Sequence, residues 1–408
     1  RAQSDLEKSG LVGKLETPNI ATDSAKVPKT FSEAPGLAEL VKAGKLPPVA
    51  ERLPSEPMVI EPLRSVGQYG GMWRRGFLGP GDSENGNRLR SSDKLIFFDA
   101  TGTELRPNVA KGWEVSADGK STTIFLRKGM KWSDGAPFTT EDFRFFWQDV
   151  ANNQELSPSG PGVELLVDGE LPKVEIVDKL TIRYSWSKPN PYFIESQARA
   201  APLFLFRPAH YLKTLHGKYT PEEEILAKHK GSRWVNIFRR QDVMYGNSNV
   251  DMPTLNPWVL TTVPPAQRFT FVRNPYFHRI DRKGQQLPYI DEVIMTVAAP
   301  NLIPAKAGLG EADLQSRFLK MRDYTFLRRS AKQSGIRVYL WVSGSCSQLA
   351  LYPNLNAKDD EWRMLMRDVR FRRALSLAID REDLNESVYL GLAKPSNNTV
   401  MELSELYK

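Results

Sequence analysis

The stretch Val109–Trp147, VAKGWEVSADGKSTTIFLRKGMKWSDGAPFTTEDFRFFW, decides how this chain is read. Trp113, Val115, Thr123, Phe125 and Leu126 lie on runs rich in aromatic and β-branched residues, which suit a pleated, half-buried surface. Asp118-Gly119 falls between two such runs and predicts a tight hairpin, because glycine adopts the positive φ of such a turn without a steric cost. Asp134-Gly135 predicts a second turn, and Pro137 cannot continue a ladder. A helix is expected from Thr139: its hydroxyl accepts from free backbone amides, and Glu141 and Asp142 favour the positive end of the helix dipole. Phe143, Phe146 and Trp147 recur at helical spacing and predict a buried aromatic stripe. Trp113 and Trp132, with Phe125 and Phe143, are expected to build the local core.

Working outward, MVIEPL from Met58 reads as a buried strand, and Lys173–Trp186 alternates with strand period around a turn at Asp178-Lys179. Arg268–Tyr276 and Tyr289–Val297 read as strands, as do Gly335–Val342 and Gln348–Tyr352. Residues 1–54 are rich in Ser, Lys, Pro and Ala and carry no strand pattern. They are expected to form a partly disordered extension with one short amphipathic helix at Gly36–Gly44, stopped by Gly44 and Pro47-Pro48. No internal repeat at a fixed spacing is found.

At 408 residues the chain is long enough for two or three domains. Its 40% hydrophobic and 25% charged residues are ordinary for a globular protein. No apolar run approaches the roughly 20 residues that span a bilayer. The net charge of +8 is dispersed. Its densest cluster, Arg370, Arg372 and Arg373, sits on a predicted helix whose other face is apolar (Val369, Leu375, Ala378, Ile379), which reads as a solvated face and not as a nucleic-acid contact. A single cysteine, Cys346, excludes an intramolecular disulfide and any multi-cysteine metal site. None of the four histidines pairs with a carboxylate or another histidine at metal-ligand spacing. Gly344-Ser345 does not make a nucleophile elbow, and Gly79–Gly86 lacks the Lys-Ser/Thr of a phosphate-binding loop. No catalytic residue, metal or cofactor is therefore expected.

The order of tryptophan strand, DG hairpin, LRKGMKWSDG and PFTTEDF helix resembles the family 5 extracellular solute-binding proteins of ABC importers, the peptide, opine and nickel type. Asp368–Gly391, DVRFRRALSLAIDREDLNESVYLG, is similar to that family's D-x-R-x-R-x-A-L-x-x-A-I-D-R helix pair, and Leu287–Val297 to its strand leading toward the second lobe. The resemblance implies an α/β fold of the type II periplasmic binding protein class: two lobes joined by a hinge, with an extra subdomain inserted in the first. The implied organisation is an extension over residues 1–54, a first lobe over 55–94 and 194–305, an inserted subdomain over 95–193 and a second lobe over 306–408. Family members continue well beyond GLAKPSNNTV, so the second lobe is expected to be C-terminally incomplete, and the aspartate that anchors a peptide's amine in such receptors would lie past Lys408.

The resemblance further implies a function. The chain is expected to capture a small solute, an oligopeptide first and an opine or oligosaccharide as the alternative, by hinge closure. Delivery would be to an ABC permease, from the periplasm or the outer membrane face, by a monomer that has lost a signal peptide. An enzyme on a similar two-lobe fold is the rival reading. Three segments are expected to touch the ligand. They are the loop Gly79–Asn87, with Asn85 and Asn87; Thr254–Trp258, with Leu255, Asn256 and Trp258; and Val342–Gln348, with Ser343, Ser345, Cys346 and Ser347 behind Trp341.

Overall fold

A computed structural model describes residues 11–12, 18–21, 27–83, 85, 93–99, 102–199, 203–244, 246–341 and 349–395. Two compact units make up the chain. The smaller comprises Arg1–Lys14, Pro304–Gly310 and Phe318–Lys408, and the larger Leu15–Ile303 with Glu311–Arg317.

In the larger unit, a four-stranded sheet runs in the order Trp258–Leu260, Arg268–Arg273, Glu292–Val297 and Met72–Phe77. The first three strands are antiparallel and the last is parallel to its neighbour. One face is sealed by Phe77, Trp258, Leu260, Phe269, Phe271, Val293 and Met295. Beside it, Met58–Glu61 pairs in parallel with Arg279–Asp281 and antiparallel with Asn19–Ala21.

The segment that opened the sequence reading builds a second, antiparallel sheet in the order Ala110–Val115, Ser121–Leu126, Thr181–Ser185 and Lys173–Asp178. Both hairpin turns fall where the Asp-Gly and Asp-Lys pairs predict them, and Gly119 takes a φ of +67°. The core of this region joins Trp132, Phe138, Phe143 and Phe206, with Trp132 edge-on to Phe138 at 5.5 Å and Phe138 edge-on to Phe206 at 5.2 Å. Trp113 and Phe125 are only half-buried. Phe125 stands opposite Gly112 across the ladder, on the face away from Ile124, so it covers a glycine and does not fill the core.

Helix Thr140–Phe145 starts with the expected cap. Thr139 Oγ1 accepts from the Glu141 amide at 3.3 Å, and Asp142 returns a carboxylate oxygen to the Thr139 amide at 3.0 Å. Asp142 is buried and does more: it accepts from Trp132 Nε1 at 3.3 Å and from the Ala209 amide at 3.0 Å. Burial raises its carboxyl to about 6. The helix continues as a π-helical turn over Phe146–Ala151, which the 3.6-residue spacing of the aromatics did not foretell.

The N-terminal helix forms at Pro35–Lys42, and Gly44 takes the positive φ of a helix stop. The chain after it is fastened by Arg52, whose guanidinium is fully buried. Arg52 donates to Pro47 O at 2.9 Å, to Gln286 Oε1 at 2.8 Å, to Pro275 O and to the Glu33 carboxylate.

The smaller unit is mainly helical. Asp368 and Asp380 cap Val369–Leu377 and Arg381–Tyr389; Asp380 Oδ1 accepts from the Asp383 amide at 3.0 Å. Of the two strands expected here, Leu340–Trp341 forms among the described residues, parallel to Leu11–Val12. Residues 349–352 adopt no strand; Leu351 and Tyr352 are exposed and find no ladder partner among the described residues.

Candidate functional site

The loop that leaves strand Met72–Phe77 is organised by a buried carboxylate, Asp82. Its Oδ2 accepts from the Leu78 amide at 3.2 Å and from Asn85 Nδ2 at 3.2 Å, and its Oδ1 accepts from Arg317 Nε at 2.9 Å. Asn85 is fully buried and also donates Nδ2 to Gly76 O at 2.8 Å, while its Oδ1 has no hydrogen-bond donor among the described residues. An acceptor so placed costs about 1–3 kcal/mol if nothing meets it.

The loop returns to the body at Asp93. Here Asn256 Oδ1 accepts the Asp93 amide at 2.9 Å, and the Asp93 carboxylate meets Arg279 and lies 3.4 Å from Asn108 Nδ2. Arg279 also reaches Asn108 Oδ1 at 2.9 Å, and His278 Nε2 lies 3.3 Å from the same oxygen. His278 Nδ1 is 3.9 Å from Asp93, yet no ion pair forms. Burial first, then the charges of Arg279 and Arg127, hold the imidazole neutral, its pKa well below the usual 6.5. Arg127 donates to Asn108 O at 2.8 Å and to Glu56 O at 3.0 Å, and burial with Arg279 nearby pulls its guanidinium down to about 10.

The expected contact residues thus meet different fates. Asn85 keeps an open acceptor. Asn256 is 5% exposed, with its side-chain oxygen on Asp93. Leu255 belongs to the hydrophobic core. Trp258 is 7% exposed, donates Nε1 to Ile290 O at 3.1 Å and stands edge-on to Trp73 at 5.9 Å. Asn256 meets the end of the loop at the Asp93 amide, and Asn247 Nδ2 lies 3.5 Å from Asp82 O near its start. Trp341 lies in the smaller unit, 64% exposed. Asn87, Ser343, Ser345, Cys346 and Ser347 lie outside the described residues. Asp93, Asn108, His278 and Arg279 were not singled out in the sequence. Their partners are between 15 and 186 residues away, and no local pattern marks them.

Of the histidines, His210 Nε2 pairs with Asp134 Oδ2 at 2.7 Å, and His216 is buried with Nε2 on Asp149 O at 2.9 Å. Among the described residues no group of three or more His, Cys, Asp or Glu side chains is placed to hold a metal ion, and no helix is long and apolar enough to cross a membrane.

Residues 104–407 match the sequence profile of the bacterial extracellular solute-binding proteins, family 5 Middle. A periplasmic alpha-galactoside-binding protein of Rhizobium meliloti (strain 1021) is 28% identical over 391 residues, covering 86% of this chain and 52% of the relative. The solved structure of an oligopeptide-binding protein OppA matches with a TM-score of 0.75 and 40% identity, over 91% of this chain and 59% of that one. The periplasmic binding protein MelB of Agrobacterium fabrum C58, solved in complex with stachyose, matches with a TM-score of 0.67 and 26% identity, over 95% of this chain and 58% of that one. The chain spans about half the length of the curated relatives it matches. These likenesses show the mixed α/β, OppA-like type II class that the tryptophan strand, DG hairpin and PFTTEDF helix led us to expect, and the chain belongs to the bacterial extracellular solute-binding proteins, family 5.

Proposed function

We propose that this chain is part of the substrate-binding component of an ABC importer, acting outside the cytoplasmic membrane without making or breaking bonds in its cargo. The observation that carries the reading is the family match across residues 104–407. An oligopeptide is the first cargo class, supported by the 40% identity to the solved oligopeptide-binding protein OppA. An α-galactosidic oligosaccharide is the second, supported by two separate likenesses: the alpha-galactoside-binding relative and the stachyose complex. The lobe and subdomain limits given above, monomeric action, hinge closure and delivery to a permease belong to the same proposal.

Asn85 is the contact this reading favours in the larger unit. Its buried Oδ1 is an acceptor without a donor among the described residues, suited to a peptide N–H or a sugar hydroxyl. Calorimetry against di- to pentapeptides and against raffinose and stachyose tests the proposal. One class is expected to bind, and Asn85→Ala to weaken it roughly tenfold. Failure of both classes, or turnover of any of them, overturns the function; an unchanged Kd in Asn85→Ala removes the residue from the site. Small-angle scattering with and without the bound solute tests closure.

A further inference from the structure

The outer edge of strand Met72–Phe77 is covered in an unusual way. Its inner edge bonds to Glu292–Val297, which leaves the backbone groups of Arg74 and Gly76 pointing outward. Among the described residues no strand extends the sheet on this side. Instead the segment Glu311–Arg317 lies along that edge, and its side chains take the place of a ladder. The Asp313 amide donates to Arg74 O at 3.0 Å, and the Arg74 amide donates to Asp313 Oδ2 at 2.7 Å. Two residues on, the Gln315 side-chain amide imitates a peptide group: Gly76 N donates to its Oε1 at 2.9 Å and its Nε2 donates to Gly76 O at 3.2 Å. Two residues further, Arg317 Nε reaches Asp82 Oδ1 at 2.9 Å. Asp313 pairs through its own amide and carboxylate and Gln315 through its side chain, at the spacing of two that matches the strand, and Arg317 reaches the loop beyond the strand.

Two of these anchors converge on Asn85. Gly76 O accepts from both Gln315 Nε2 and Asn85 Nδ2, and Asp82 accepts from both Arg317 and Asn85. Glu311–Arg317 belongs to the larger unit although the chain on both sides of it belongs to the smaller one. We infer that this segment is a strap and that Gln315 and Arg317 are positioning residues which hold Asn85, through Gly76 O and Asp82, in the orientation that presents its Oδ1. The inference rests on the reading of Asn85 as a ligand contact only for its consequence in binding.

Hydrogen exchange on the ligand-free chain tests the positioning itself. In Gln315→Leu and in Arg317→Gln, the amides of Gly76 and Leu78 are expected to exchange roughly tenfold or more faster, while those of strand Arg268–Arg273 stay as in the parent. Arg317→Lys, which keeps the charge, is expected to restore part of the protection at Leu78. Faster exchange at Gly76 with Leu78 unchanged in both variants overturns the inference, because the segment then only seals an edge. A rise shared by Arg268–Arg273 in both variants also overturns it, because the residues then act on the whole fold. Stachyose and trialanine serve as binding probes. For a probe that binds, Arg317→Gln and Asn85→Ala are each expected to weaken it, and the double variant to be no weaker than the worse single; full additivity overturns the coupling. If Asn85→Ala alone is without effect, the ligand contact fails, and the exchange data still judge the strap.

Discussion

Acidification from pH 7 to pH 5 is expected to destabilise the larger unit through His278, and the size of the effect follows from the site. The imidazole is 1% exposed, it faces the guanidinium groups of Arg279 and Arg127, and its pKa is held well below 6.5. Below pH 6.5 the unfolded chain binds a proton at this residue and the folded chain does not. Stability is therefore full above that pH and falls as pH drops below it. From 6.5 to 5 the loss is about 2 kcal/mol, at about 1.4 kcal/mol per pH unit. Burial depresses His216 in the same sense, so the parent's slope contains both residues. Asp142, raised to about 6, works the other way: its ionised form is disfavoured on folding, so its contribution improves as pH falls. Replacing His278 with Leu isolates its share. Asn108 Oδ1 keeps Arg279 at 2.9 Å, so no acceptor is orphaned. Urea unfolding followed by tryptophan fluorescence at pH 7 and pH 5 gives the stability change for parent and variant. The variant is expected to lose about 2 kcal/mol less than the parent over that interval, whatever its stability at pH 7. Equal losses in the two proteins would refute the assignment of a neutral, buried His278.

Other substitutions have outcomes of known sign. Arg52→Met leaves the Glu33 carboxylate and Pro275 O without their guanidinium, and is expected to cost about 3–5 kcal/mol in urea unfolding. Gly284→Ala places a Cβ 2.2 Å from Thr30 O at a φ of +79°, and is expected to release the segment around Thr30, read as faster proteolysis there with the sheets intact. Thr139→Ala removes the oxygen that meets the Glu141 amide and is expected to lower stability by about 1 kcal/mol, with the helix still present by circular dichroism.

Features made by neighbours in sequence were legible. Asp118-Gly119 gave its hairpin and Thr139 its helix cap, because each needs only a turn residue or a side-chain oxygen within three positions of its partner. Alternation located the strands of Lys173–Asp178 and Thr181–Ser185. Features made across the fold were not legible. Asn256 looked like a free amide in a turn, but its oxygen is committed to Asp93, 163 residues earlier. Trp258 is expected from the sequence to touch a ligand, yet its indole is set against Trp73 and Ile290 O. Arg52 had no mark of burial, since its acceptors come from Glu33, Pro47, Pro275 and Gln286. A hydrophobic residue announces burial by its chemistry; a polar one is buried only where distant partners arrive, and alternation does not encode them.

The Asp142 carboxylate answers three donors that arrive from separate stretches: the amide at the head of its own helix, the indole of Trp132 and the amide that opens helix Ala209–Leu212. The first is local, but the other two come from outside the helix, so the carboxylate has its full set of partners only when all the pieces are present. Secondary structure in this neighbourhood therefore has little reason to persist piecemeal, and the Trp132 turn, the Thr139 helix and the Ala209 helix should melt as one cooperative block, like arches sharing a keystone.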